Sequence, residues 1–207
     1  MLMLQKEFES RRPMGRTSEL REVARLALDE QFPPYGYVTG RFPHPTSNPA
    51  GHSFDCAPEH PVAPDPSRWD ACRPYLYDID LFNQGYYWEA HEVWEGLWHA
   101  CRRAGTTGNF LAGLSTWPPP ASRPESEDRR AFRGMLIGPA SPLQQTASEV
   151  GPRHRRYIGL PLSELIGFAT DLIDQPQVGT AESGTPVAIV FQLVLYPEES
   201  SQCEVKP

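Results

Sequence analysis

Within the run "YYWEAHEVWEGLWHACRR", His91 and Glu95 stand one helical turn apart, with Glu92 next to the histidine. Residues four apart lie on one flank of a helix, so this spacing places an imidazole beside a carboxylate. A half-buried neutral imidazole in such company exchanges protons near neutral pH, and the same pair can ligate a metal. His91, Glu92 and Glu95 are therefore the candidate catalytic set. His91 and Glu95, closed over by His44 and His52 from an upstream loop, are the candidate ligands of a divalent metal, and no residue is assigned to an organic cofactor. The run is not the His-Glu-x-x-His pattern of zinc peptidases, because its fifth residue is Glu95. A structural alternative stands beside the chemical one: Glu95 orients His91, which bonds to a neighbouring helix and fixes packing.

Turning the segment from Tyr86 to Arg103 by about 100° per residue shows what must position these groups. Tyr87, Trp94, Trp98 and Cys101 fall together, with Ala90 and Leu97 beside them, and form the core-facing arc. His91 sits at the edge of that arc and Glu95 follows on the same flank. Glu92 and His99 stand further round, Glu89 is expected in solvent, and Trp88 is expected to be exposed beside His99.

The neighbouring elements follow from capping and spacing. Ser18 can cap a helix carrying Leu20, Val23, Ala24, Ala27 and Leu28, ending near Phe32. A long loop rich in Pro, Gly and His then reaches Pro74, which suits the first turn of a helix with Leu76, Ile79 and Phe82 on one face. Gly85 ends that helix, the Trp-rich helix follows, and Thr106 or Thr107 can cap a third at "NFLAGL". Helical patterning resumes at "SPLQQTASEV" and again at "LPLSELIGFATDLIDQP". The run "PVAIVFQLVLYP" has strand composition, which predicts a strand near 187–196 that pairs with the long loop or with another subunit. The expected fold is all-α: a small helical bundle over 75–175, a helix and long loop over 1–74, and a tail with one short strand over 176–207.

The formal charge of −7, with no basic stripe to offset it, argues against a general nucleic-acid surface. The longest apolar run is too short to cross a bilayer as a helix, and the opening residues carry no apolar stretch of signal-peptide length. A cytoplasmic protein that does not bind membranes is expected. Cys56, Cys72, Cys101 and Cys203 are far apart with no Cys-x-x-Cys pair, so reduced thiols are expected in place of a zinc knuckle. Cys56, Glu59 and His60 in "CAPEH" read as accidental clustering, and His154 in "RHRR" as part of a solvated basic patch.

The run "NQGYYWEAHEVWEGLWHACRR" resembles the signature of the bacterial and archaeal domain-of-unknown-function family 309. That signature is a glycine, two aromatics, Glu-Ala-His-Glu, then Glu and Trp at fixed spacing, here Gly85, Tyr86, Tyr87, Glu89, Ala90, His91, Glu92, Glu95 and Trp98. The resemblance covers about Tyr75 to Leu114. It implies a small helical domain and carries no agreed activity.

After "FLAGL" the third helix should continue, yet the chain turns to "STWPPPASRPESEDRR". A proline inside a helix removes a donor and clashes with the preceding turn, at about 3 kcal/mol or more. The segment from Ser115 to about Pro142 therefore reads as translated in a shifted frame. Loss of one base before Ser115 forces Trp117 back to Leu, Val or Met and Pro118 to Ala, and permitted codons restore an amphipathic helix. A genuine Pro-rich linker, irregular over 115–142, is the other reading.

Two functions are open to such a chain. One is a non-catalytic structural or interaction module, a homo-oligomer joined through the terminal strand and Trp88. The other is a metal-dependent hydrolase or proton-transfer enzyme built on His91, Glu92 and Glu95.

Overall fold

The computed structural model describes residues 23–56, 61–117, 134–174 and 185–198. The bundle opens with α1 (Arg73–Asn83), whose second residue is the predicted Pro74, after a short 3-10 turn at Trp69–Ala71. Gly85 reverses the chain at φ 89°, where a side chain would be strained and a Cβ would come within 2.9 Å of the Ala188 carbonyl. The Trp-rich helix α2 (Tyr87–Ala100) follows, then α3 (Gly105–Ser115), α4 (Pro142–Val150) and α5 (Leu162–Asp174). Ser141 caps α4 by accepting from the Gln144 N–H. Consecutive helices pack on one another, and Gly113 of α3 lets Leu143 of α4 approach so closely that a Cβ would meet its Cγ.

The core lies where these faces meet. Tyr75, Ile79 and Phe82 of α1, Ala90, Trp94 and Leu97 of α2, and Phe110, Leu111 and Leu114 of α3 are buried together. Leu162, Leu165, Ala169 and Leu172 line the inner face of α5 at the predicted spacing. At roughly 1.5–3 kcal/mol per large apolar side chain, this burial is the main force assembling the bundle. Trp117, just past α3, is also core, against Phe82, Trp94 and Phe168.

Several expectations are corrected. Residues 23–32 form no helix, since the N–H groups of Leu26 and Ala27 go to the buried Asp80 carboxylate at 2.9–3.0 Å instead of to a helical ladder. Ser18 and Leu20 lie outside the described residues. The stretch from Val187 to Tyr196 is not a strand. It runs extended over the bundle with Val187, Phe191 and Leu195 buried, and helix side chains take up its backbone. Asn83 bonds both the N–H and the carbonyl of Leu195, and the Tyr87 hydroxyl accepts from the N–H groups of Val190 and Phe191.

The β-structure among the described residues is a two-stranded hairpin, β1 (Arg156–Tyr157) and β2 (Leu160–Pro161). Its turn places both Ile158 and Gly159 at positive φ, and Tyr75 donates to the Ile158 carbonyl at 2.8 Å. Of the segment 115–142, residues 118–133 lie outside the described part, whereas 134–137 are helical and Leu136 is buried.

Candidate functional site

Helix α2 brings three predicted residues together. Ligand atoms of His91, Glu92 and Glu95 all lie within 4.8 Å of one another. His91 and Glu95 are half-buried, with Nε2 3.6 Å from Glu95 Oε2, and Glu92 stands toward solvent. The tautomer of His91 is set from the neighbouring helix: its Nδ1–H donates to the carbonyl of Ser115, the last residue of α3, at 2.6 Å. A carbonyl can only accept, so Nδ1 carries a proton, and Nε2 is the ring nitrogen on the side of the Glu95 carboxylate. A backbone carbonyl that accepts from one ring nitrogen in this way fixes the orientation of the other. Partial withdrawal from water raises the Glu92 carboxyl above its ordinary range. The His91 ring lowers it, Glu95 raises it further and His44 lowers it.

His99 also reaches Glu95, with Nε2 3.6 Å from Oε1. That nitrogen already accepts from Arg103 at 2.8 Å, where the chain leaves α2 through left-handed Arg102 and Arg103. His99 therefore stands beside the cluster and does not complete it.

Neither of the two loop histidines is among the residues whose ligand atoms converge with those of His91. His52 is sealed against Glu89: Nε2 lies 3.1 Å from Oε1 and Nδ1 lies 2.8 Å from the Ser53 hydroxyl, so both ring nitrogens are engaged. His44 packs its ring on Tyr37 and Trp88, and its Nδ1 accepts weakly from the N–H groups of Thr46 and Ser47 at 3.4 Å.

Glu89 itself corrects the helical wheel. It is 5% exposed, because the loop from Pro33 to Phe54 folds across the face that an isolated helix would give to water. Its Oε1 accepts from the Tyr37 N–H at 2.9 Å and from His52, while Oε2 has no partner among the described residues. Burial pushes this carboxyl up, against the lowering effect of the surrounding donors. Trp88, expected on the surface, lies under Tyr37 and His44 for the same reason. The signal that could have exposed this was already in the motif: a glutamate two residues ahead of His91 and a histidine in the Pro-rich loop.

Cys56, Cys72 and Cys101 are free thiols, and Cys203, Glu59 and His60 lie outside the described residues. His154 is exposed and bonds the Val150 carbonyl at the end of α4. Among the described residues, no helix is long and apolar enough to cross a membrane.

The model of DUF309, a domain of unknown function, matches residues 75–115. The stretch similar to that family takes in most of α1 and all of α2 and α3, and holds the motif around His91. No curated protein and no solved structure matches the chain.

Proposed function

We propose that this DUF309-bearing chain binds a divalent transition metal on α2, with His91 Nε2, Glu95 and Glu92 as its protein ligands. The observation that supports this reading is the His91–Ser115 bond, which holds the imidazole proton on the nitrogen facing away from the carboxylates. Zinc bonds of about 2.0–2.2 Å put neighbouring donors roughly 3.4 Å apart, and His91 and Glu95 already approach that spacing. Rotation of Glu92 about its solvent-facing side chain closes the third position. One imidazole with two carboxylates suits zinc, manganese or ferrous iron. Three protein ligands leave room for water, whose activation makes hydrolysis the matching reaction class.

The interaction-module reading leaned on Trp88 and on the terminal segment. Trp88 is engaged by Tyr37 and His44, and the terminal segment by Asn83 and Tyr87, so neither needs a second subunit. Calorimetric titration with zinc and manganese tests the metal reading. One equivalent is expected to bind the wild type, and Glu95→Gln or His91→Asn is expected to weaken it by roughly 10–100-fold. Equal binding by all three proteins would overturn it.

A further inference from the structure

We infer that Ser53 is a nucleophile toward neutral short-chain carboxylic esters, with His52 as its base and Glu89 as the positioning residue behind the imidazole. The Ser53 hydroxyl lies 2.8 Å from His52 Nδ1, and His52 Nε2 lies 3.1 Å from Glu89 Oε1. Hydroxyl, imidazole and carboxylate thus follow one another in the order that activates a serine, an arrangement known by geometry and roles rather than by sequence position. Glu89 Oε1 also accepts from the Tyr37 N–H at 2.9 Å, so it meets His52 as an acceptor. In the neutral ring the proton then sits on Nε2, and Nδ1 has the lone pair that takes the hydroxyl proton.

The loop is built to hold this order. The Ser53 N–H donates to the Pro45 carbonyl at 3.1 Å and the His52 N–H to the Tyr35 hydroxyl at 3.3 Å, while the Tyr35 ring packs edge-on against the imidazole. A Cβ at Gly51 would meet the His44 and Pro45 carbonyl oxygens, so the turn ahead of the pair requires glycine. The His52 and Glu89 side chains are 7% and 6% exposed, whereas Ser53 is half-buried and borders a cleft of about 320 Å³. Trp88, Tyr77, Val93 and Leu81 on the cleft walls suit an apolar acyl chain. Glu30 and Glu92 border it too, and Arg73 there is paired with Asp29 and Glu30 at 3.2 and 3.3 Å, which favours a neutral ester over an anionic one.

In the reaction, Ser53 Oγ attacks the ester carbonyl carbon while its proton passes to His52 Nδ1. The bond from that carbon to the alcohol oxygen breaks, and the alcohol leaves with the proton. Water then attacks the acyl-serine with His52 again as base, which releases the carboxylic acid and restores the hydroxyl.

The relay needs no metal at His91, so the test is run on the full chain with EDTA present. An alkyl fluorophosphonate is added and the adduct is located by peptide mass mapping. One phosphonyl group is expected on Ser53, none in Ser53→Ala, and labelling at least roughly 100-fold slower in His52→Gln. The wild type unfolded in urea exposes the same serine without the relay and is expected to be equally slow, which keeps the test decisive should His52→Gln unfold. With p-nitrophenyl butyrate, Glu89→Gln is expected to lower kcat at least roughly tenfold while KM stays within about twofold. No adduct on Ser53, wild-type labelling rates in urea or in His52→Gln, or an unchanged kcat in Glu89→Gln would overturn the inference.

Discussion

The imidazole of His91 donates its Nδ1 proton to the carbonyl oxygen of Ser115, 2.6 Å away and 24 residues further along the chain. This bond joins the centre of α2 to the last turn of α3. The structural reading of the motif and the proposed metal site are thus compatible. The bond that fixes helix packing also fixes the tautomer needed for ligation.

Tyr87 carries the argument about the terminal segment. Its hydroxyl accepts from the N–H groups of Val190 and Phe191, each at 3.0 Å, and so takes the place of a partner strand. Tyr87→Phe is expected to cost about 1–3 kcal/mol and to speed amide exchange at both positions. Unchanged exchange there would mean that the segment is held by side-chain burial alone.

Asp78 gives a pH dependence with a definite sign. It is fully buried in α1, neither carboxylate oxygen has a partner among the described residues, and burial raises its pKa well above 3.8, with Cys72 adding to the rise. The folded chain thus holds a proton that the unfolded chain releases. The associated stability is present below the ordinary carboxylate pKa and is lost as pH rises through the folded value. Asp78→Asn cannot titrate, so its stability relative to wild type is expected to increase between pH 4 and pH 8. Urea denaturation at both pH values checks this, and a constant difference would contradict it.

The α-helices of the bundle were legible because their apolar residues repeat at helical spacing, as Leu162, Leu165, Ala169 and Leu172 do. Gly85 marked the end of α1, whereas Thr106 and Thr107, read as caps, lie inside α3, whose first turn is preceded by Ala104 and has no side-chain cap. The misread parts share a physical cause. Glu89 looks like a surface residue on a wheel, yet it is buried, as Asp80 and Asn83 are, because it satisfies backbone from an irregular segment. A helical wheel carries no information about a loop that folds over its polar face. The hairpin at Ile158 and Gly159 was missed because a β-branched residue at positive φ is not a recognisable turn signal. The cluster of His91, Glu92 and Glu95 was legible because all three sit on one continuous helix.

The frame of the segment after Ser115 is testable through Trp117, which is 4% exposed in the aromatic core. The restored frame keeps an apolar Leu, Val or Met there and replaces the adjoining prolines by helix-compatible residues. The shifted-frame proposal predicts a higher melting midpoint for the restored chain than for the printed one. Equal midpoints, or resequencing that confirms an unbroken frame with the printed codons, would contradict it.

The most direct test of the metal reading is nitrogen-15 NMR of the His91 ring during titration with zinc. A ring that carries a proton on Nδ1 is expected before metal, followed by a shift of the Nε2 resonance that saturates at one equivalent and disappears in Glu95→Gln. A ring protonated at Nε2, or an Nε2 resonance indifferent to zinc, would contradict the account.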